Sequence, residues 1–123
     1  MDPLTAERIC RNDSAFRDAN EQISAKADEH HTAAGQLIPF LCECADEECT
    51  SIIQLNLAEY EDVRTDSRQF LNVLGHERSE GLIEIVFTNH NHLVVRKGGR
   101  AGEIAEALDT RRNEYRKATN KQR

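Results

Sequence analysis

The sequence has no tryptophan, one methionine and two tyrosines among its 123 residues, and only 38% of the chain is apolar, much of that alanine. A chain of this length folds as one domain, here around a lean core. Such a core favours an added staple: a metal, a disulfide or a partner chain. No stretch approaches the 18 or so uninterrupted apolar residues that a membrane span requires. The opening "MDPLTAERIC" carries acids and no apolar h-region, so it does not read as a secretory signal. These absences predict a cytoplasmic protein with no membrane partner, in a compartment where thiols stay reduced. Internal repeats and low-complexity segments are also missing.

What is present is charge, unevenly spread. The net charge is −6, with seven acids against four bases over 1–36 and eleven against five over 37–97. The last fourteen residues, "TRRNEYRKATNKQR", reverse this with six bases and one acid. An acidic body disfavours general nucleic-acid binding, because that affinity comes from neutralising phosphates. The basic tail, 111–123, is where nucleic acid would bind if it binds at all; otherwise it reads as a solvated or frayed end.

Hydrophobic periodicity predicts an amphipathic helix over 4–30, with Ile9, Phe16 and Ile23 recurring at seven and alanines on one flank. Thr5 is a candidate cap at its start and Gly35 a left-handed cap at its end. The narrow stripe suits packing on the domain through one seam, or pairing with a second copy of the chain as a homodimer. "QLIPFLC", broken by Pro39, reads as an edge strand, and "SIIQL" as a second strand completing a hairpin. Asn56 and Glu59 have capping-box spacing at the head of a short helix. "FLNVLGHE" reads as a strand turning at Gly75. "LIEIVF" and "HLVVRK" flank the turn residues "TNHN", which places His90 and His92 in an exposed hairpin tip. "GGRAG" reads as a break before a final helix in "EIAEALDTRRNEYRKA". The fold class is α+β with a mostly antiparallel sheet: an N-terminal helix over 1–35, a domain over 36–110 with a stapled hairpin and a C-terminal helix, and the tail.

Between the first two strands lies "FLCECADEECT", with three of the four cysteines, Cys42, Cys44 and Cys49, in a C-x-C-x4-C pattern. Clustered cytosolic thiols are more often ligands or catalysts than disulfides. Thiolates suit zinc, whose structural sites take four ligands in a tetrahedron. His76, freed by Gly75 beside it, is the favoured fourth ligand, with Cys10, His30 and His31 as competitors. Inert packing of the thiols as small hydrophobes fits Cys10 better than the trio, because "CECADEEC" is too acidic for a core. An iron–sulfur cluster is the alternative cofactor. One cysteine far upstream of a tight trio resembles the WhiB-type regulators of actinobacteria, which hold a cluster on four cysteines. Here the middle pair is C-x-C where that family has C-x2-C, and the tryptophan-containing glycine turn is absent.

Taken together, "FLCECADEECT", "LNLAEYEDVR", "FLNVLGHE", "HLVVRK" and "AGEIAE" resemble a family of small bacterial proteins, chiefly actinobacterial. The resemblance implies pairing of the CxCx4C loop with a downstream Gly-His, matched here by Cys42, Cys44, Cys49 and His76, and brings no activity with it. "VVRKGGRAGEIAE" matches neither phosphate-loop pattern. No nucleophile–base–acid set is visible, and a catalytic zinc would need an open position with a base such as Glu77. The expected function is therefore non-enzymatic: a zinc-binding regulatory or adaptor module whose partner is another protein. A thiol redox sensor that releases zinc is the rival, predicting an accessible low-pKa thiol.

Overall fold

The computed structural model describes residues 3–44, 46, 48–77 and 83–111, and the basic tail beyond Arg111 lies outside them. Helix α1 (Pro3–Glu29) is followed by β1 (Ile38–Leu41), β2 (Ile52–Leu55), α2 (Leu57–Val63), β3 (Gln69–Asn72), β4 (Ile83–Thr88), β5 (Leu93–Lys97) and α3 (Gly99–Ala107). The class is α+β, as the patterning predicts. β1 and β2 form an antiparallel hairpin, and a second antiparallel sheet has the order β3-β5-β4.

The second sheet is covered on both faces, which follows from the two-residue alternation of its strands. Leu71 and Val94, opposite each other, join Phe40, Ile53, Leu55, Tyr60 and Val63 under the hairpin and α2. There Phe40 and Tyr60 stack with ring centroids 4.4 Å apart. Phe70, Leu93 and Val95 point the other way, onto Cys10, Ile104 and Ala105 of α1 and α3. β4 is the exception. Its Ile85, Val86 and Phe87 remain 41–49% exposed, and its pairing with β5 slips between Ile85 and Phe87.

α1 buries a face the apolar stripe does not predict. Ile9, Phe16 and Ile23 are only half-buried, whereas Cys10, Asp13, Ser14, Arg17, Asn20 and Ser24 are buried. The polar groups on this face meet backbone and charged groups that need partners. Arg17 donates to the carbonyls of Ser67 (2.6 Å) and Ala105 (2.8 Å) and lies over the Phe70 ring at 4.5 Å. The Asn20 amide bridges the Leu41 N–H and carbonyl at 2.8 and 2.9 Å, and Asp13 pairs with Lys97. A second buried pair, Arg64–Asp109 at 2.5 Å, holds the end of α3 to α2.

The caps differ from expectation in instructive ways. The helix begins at Pro3, ahead of Thr5, since proline's fixed φ suits a first turn. It ends in a Schellman arrangement, with Thr32 N–H on the Ala27 carbonyl (3.1 Å) and His31 N–H on that of Asp28 (3.0 Å). The left-handed residue is thus His31, at φ 53°, and Gly35 turns the chain only afterwards. A side chain in that conformation costs about 1–2 kcal/mol. His31→Gly is therefore expected to raise stability by about 0.5–1 kcal/mol after glycine's own entropy is offset. A thermal melt showing an unchanged or lower midpoint would contradict this. The capping box at α2 is present as expected, with both Asn56–Glu59 bonds at 2.8–2.9 Å. α3 starts at Gly99, not after the glycine run. Gly102 permits this, because a Cβ there would sit 2.5 Å from the Lys97 carbonyl.

Candidate metal centre

The thiols are placed by the edge of β3. Just past β1, Glu43 N–H donates to the Leu71 carbonyl at 2.7 Å, and its carboxylate accepts the Leu71 N–H at 2.8 Å and the Asn20 amide at 2.7 Å. One residue thereby occupies the bonding groups that β3 leaves open. Because side chains alternate along extended chain, Glu43 turns inward to α1 while Cys42 and Cys44 on either side reach the other way. Full burial pushes the Glu43 carboxyl up to about 7, against the pull of Asn20, the Leu71 N–H and the neighbouring arginines.

The loop then returns. Cys49 N–H donates to the Asp46 carbonyl at 3.0 Å, which brings the third thiol over the first two. His76 arrives from the end of β3, where Gly75 adopts φ +85° and His76 N–H closes a turn on the Val73 carbonyl at 2.9 Å. Its Nδ1 lies 3.7 Å from Cys42 Sγ and 3.6 Å from Cys49 Sγ. One ligand atom from each of Cys42, Cys44, Cys49 and His76 falls within 4.8 Å of the others, close enough to hold a metal ion. For comparison, tetrahedral zinc with Zn–S of about 2.3 Å and Zn–N of about 2.05 Å separates sulfur from nitrogen by about 3.6 Å.

The surroundings divide the thiols. Cys42 and Cys44 are buried and Cys49 is half-exposed. Burial raises the pKa values of Cys42 and Cys44. Burial also opposes ionisation of Cys49, but the Ser51 N–H and hydroxyl, with Cys44 and His76, outweigh it and bring that thiol down to about 7. The Val73 N–H donates to Cys42 Sγ at 3.3 Å, the kind of bond that steadies a metal thiolate. Neither Val73 nor Ser51 carries a sequence signal, because a backbone donor is invisible in residue type.

The competitors lie elsewhere. Cys10 is buried against Ile104 and Ala105 and donates its thiol to the Ala101 carbonyl at 3.2 Å. His30 and His31 are exposed at the end of α1. His90 is exposed as expected, but His92 is buried, 3% exposed, which corrects the placement of both in an open tip. Its ring packs against Phe87, with centroids 5.4 Å apart, and its N–H donates to Asn89 Oδ1 at 2.9 Å, so the turn holds the residue at the head of β5 and not at the tip. Among the described residues no helix is long and apolar enough to cross a membrane. No protein-family profile, curated protein or solved structure matches the chain.

Proposed function

We propose that Cys42, Cys44, Cys49 and His76 hold one structural zinc ion and that the stapled domain is a non-enzymatic regulatory or adaptor module acting in the cytoplasm on another protein. The observation that carries the metal is the convergence of three thiols and one imidazole within 4.8 Å. A polynuclear iron–sulfur cluster would spread its ligands by its own width, so this spacing supports a single ion. Four protein ligands leave no open position, which supports a structural over a catalytic role. The CxCx4C and Gly-His pairing implied by the resemblance to the actinobacterial proteins agrees with this set. The partly uncovered Ile85, Val86 and Phe87 of β4 support the interaction half of the reading, since clustered exposed apolar residues mark contact surfaces.

Elemental analysis of protein made without added metal tests it. About one zinc per chain is expected, lost in Cys44→Ser and His76→Ala but retained in Cys10→Ser and His31→Gly. Iron with visible absorbance, or no metal at all, would overturn the assignment.

The exposure of Cys49 beside two buried thiols favours one further reading, a redox sensor that releases zinc on oxidation. Peroxide titration with a chromogenic zinc chelator separates the two. A purely structural site holds its metal until oxidant is in large excess, whereas a sensor releases it near stoichiometric peroxide.

A further inference from the structure

Among the described residues nothing covers the face of α1 formed by Gln22, Ala25 and Asp28, which are exposed. With Asp18 and Glu21 of α1 and Leu57 and Glu61 of α2, they line a groove of about 710 Å³ between the two helices. Acids dominate it, and Ala25 and Leu57 add apolar surface. Asp28 stands in the last turn of α1, where the helix dipole already favours a cation.

The chain itself indicates the occupant. Arg111 sits in the groove, with its guanidinium on both Glu21 oxygens at 2.8 and 2.9 Å and both Glu61 oxygens at 2.7 and 3.1 Å. Its approach has a direction, because from α3 onward the chain meets α1 at successively later positions. Ala101 meets Cys10, Ala105 meets Arg17 and Arg111 meets Glu21, so the residues that follow are led towards Ala25 and Asp28. At Thr110 and Arg111 the backbone is helical again, and Asp109 accepts the Arg111 N–H at 3.0 Å, the bond of an N-cap. A helix continuing beside α1 at equal rise per residue brings Tyr115 level with Ala25 and Ala118 level with Asp28. Both share a helical face with Arg111. The charge is complementary too: residues 112–123 carry Arg112, Arg116, Lys117, Lys121 and Arg123 against one acid, Glu114.

We propose that this groove is the docking site of the chain's own basic tail. The tail enters as a helix beginning at Thr110, with Tyr115 against Ala25 and Leu57 and its bases facing Asp18, Asp28 and Glu61. Tethering favours this occupant over a free peptide, because a short linker holds it at an effective concentration in the millimolar range. Docking would also withhold the tail's bases from nucleic acid, since the groove's carboxylates compete with phosphates. None of these residues belongs to the thiol cluster, so this inference stands or falls apart from the metal.

Because the chain has no tryptophan, Tyr115→Trp in the full chain supplies a single fluorescent reporter. At low salt its emission is expected to be blue-shifted from that of N-acetyltryptophanamide and protected from acrylamide quenching. Asp28→Lys alters an exposed position, so the variant should fold. It should lower the docked-to-free ratio by about threefold or more, the order of one surface charge pair reversed. Salt at about 0.5 M should act in the same direction by screening. In the unsubstituted chain, NOEs from the Tyr115 ring to the Ala25 and Leu57 methyls are expected. Four results overturn the proposal. They are free-like quenching at low salt, docking indifferent to both Asp28→Lys and salt, and NOEs to Ile85, Val86 or Phe87 instead, which would seat the tail on β4. The fourth is a blue shift that grows with protein concentration, which would assign the groove to the tail of a second copy.

Discussion

Stripping the proposed zinc from this protein, or replacing Cys44 with serine, is expected to abolish cooperative folding. Structural zinc supplies about 10–16 kcal/mol of apparent binding free energy, against a total stability of about 5–15 kcal/mol for an ordinary domain. Here the metal would close a 34-residue span from Cys42 to His76. A covalent crosslink of that length is worth about 4 kcal/mol in chain-entropy terms alone. The rest is enthalpic and local: Cys42 and Cys44 sit in the core beneath the β1–β2 hairpin, and without a metal the chain must bury two thiols that contribute only as small hydrophobes. The thermal transition followed by circular dichroism, before and after EDTA, measures this directly. Loss of the sigmoidal transition with EDTA, its return with added zinc, and its absence in Cys44→Ser are the expected results. A midpoint within about 2 °C of the untreated protein would mean that the hairpin is held by packing, and the staple account would fail.

Arg17→Met should cost about 3–5 kcal/mol, although it replaces a charged side chain in the interior with an apolar one of similar length. The usual lesson is that a buried ion pair exchanged for hydrophobes loses little, whereas removing one member of a bonded set loses much. Arg17 belongs to the second case. Burial, followed by repulsion from Arg64, lowers its pKa, so its charge carries a desolvation cost. Yet its guanidinium satisfies two carbonyls, of Ser67 and Ala105, that no methionine can reach with a donor. Each buried acceptor left unpaired costs about 1–3 kcal/mol, and the contact with Phe70 is lost as well. For a domain of this size the midpoint should fall by about 10–20 °C, read by calorimetry on metal-loaded protein so that the staple is constant. A loss under about 1 kcal/mol would show that α1 is held by its half-buried Ile23 and Ala27 contacts instead.

The contrast between these two residues shows what the sequence reveals. The candidate metal centre is legible because its donors are rare residue types in short motifs: C-x-C-x4-C, and a histidine next to a glycine. The Asn56–Glu59 cap is legible for the same reason, since both partners lie within four positions. The burial of Arg17 is not legible. Its partners are 50 and 88 residues away, and two of its three contacts are carbonyls that every residue carries. Periodicity selects Ile9, Phe16 and Ile23 because it ranks side chains by apolarity, while α1 packs against exposed backbone groups that demand donors. Glu43 is hidden by the same logic: a charged residue between two cysteines reads as loop acidity until β3 supplies an edge for it to fill. His92 also reads as solvent-facing, yet its backbone is bonded to Asn89 and its ring packs against Phe87.

The slipped register of β4 has a consequence for the protein at high concentration. β4 carries one charge in six residues and no proline, the composition from which cross-β assemblies grow. No strand flanks its outer edge among the described residues. A regular strand of this kind would template addition of further copies without limit. The irregularity between Ile85 and Phe87 twists the edge and breaks its alternation, so an incoming strand can match it on one side of Val86 but not on both. Bulges are among the devices by which native sheets blunt such edges, and here one stands where lysine or proline gatekeepers are missing.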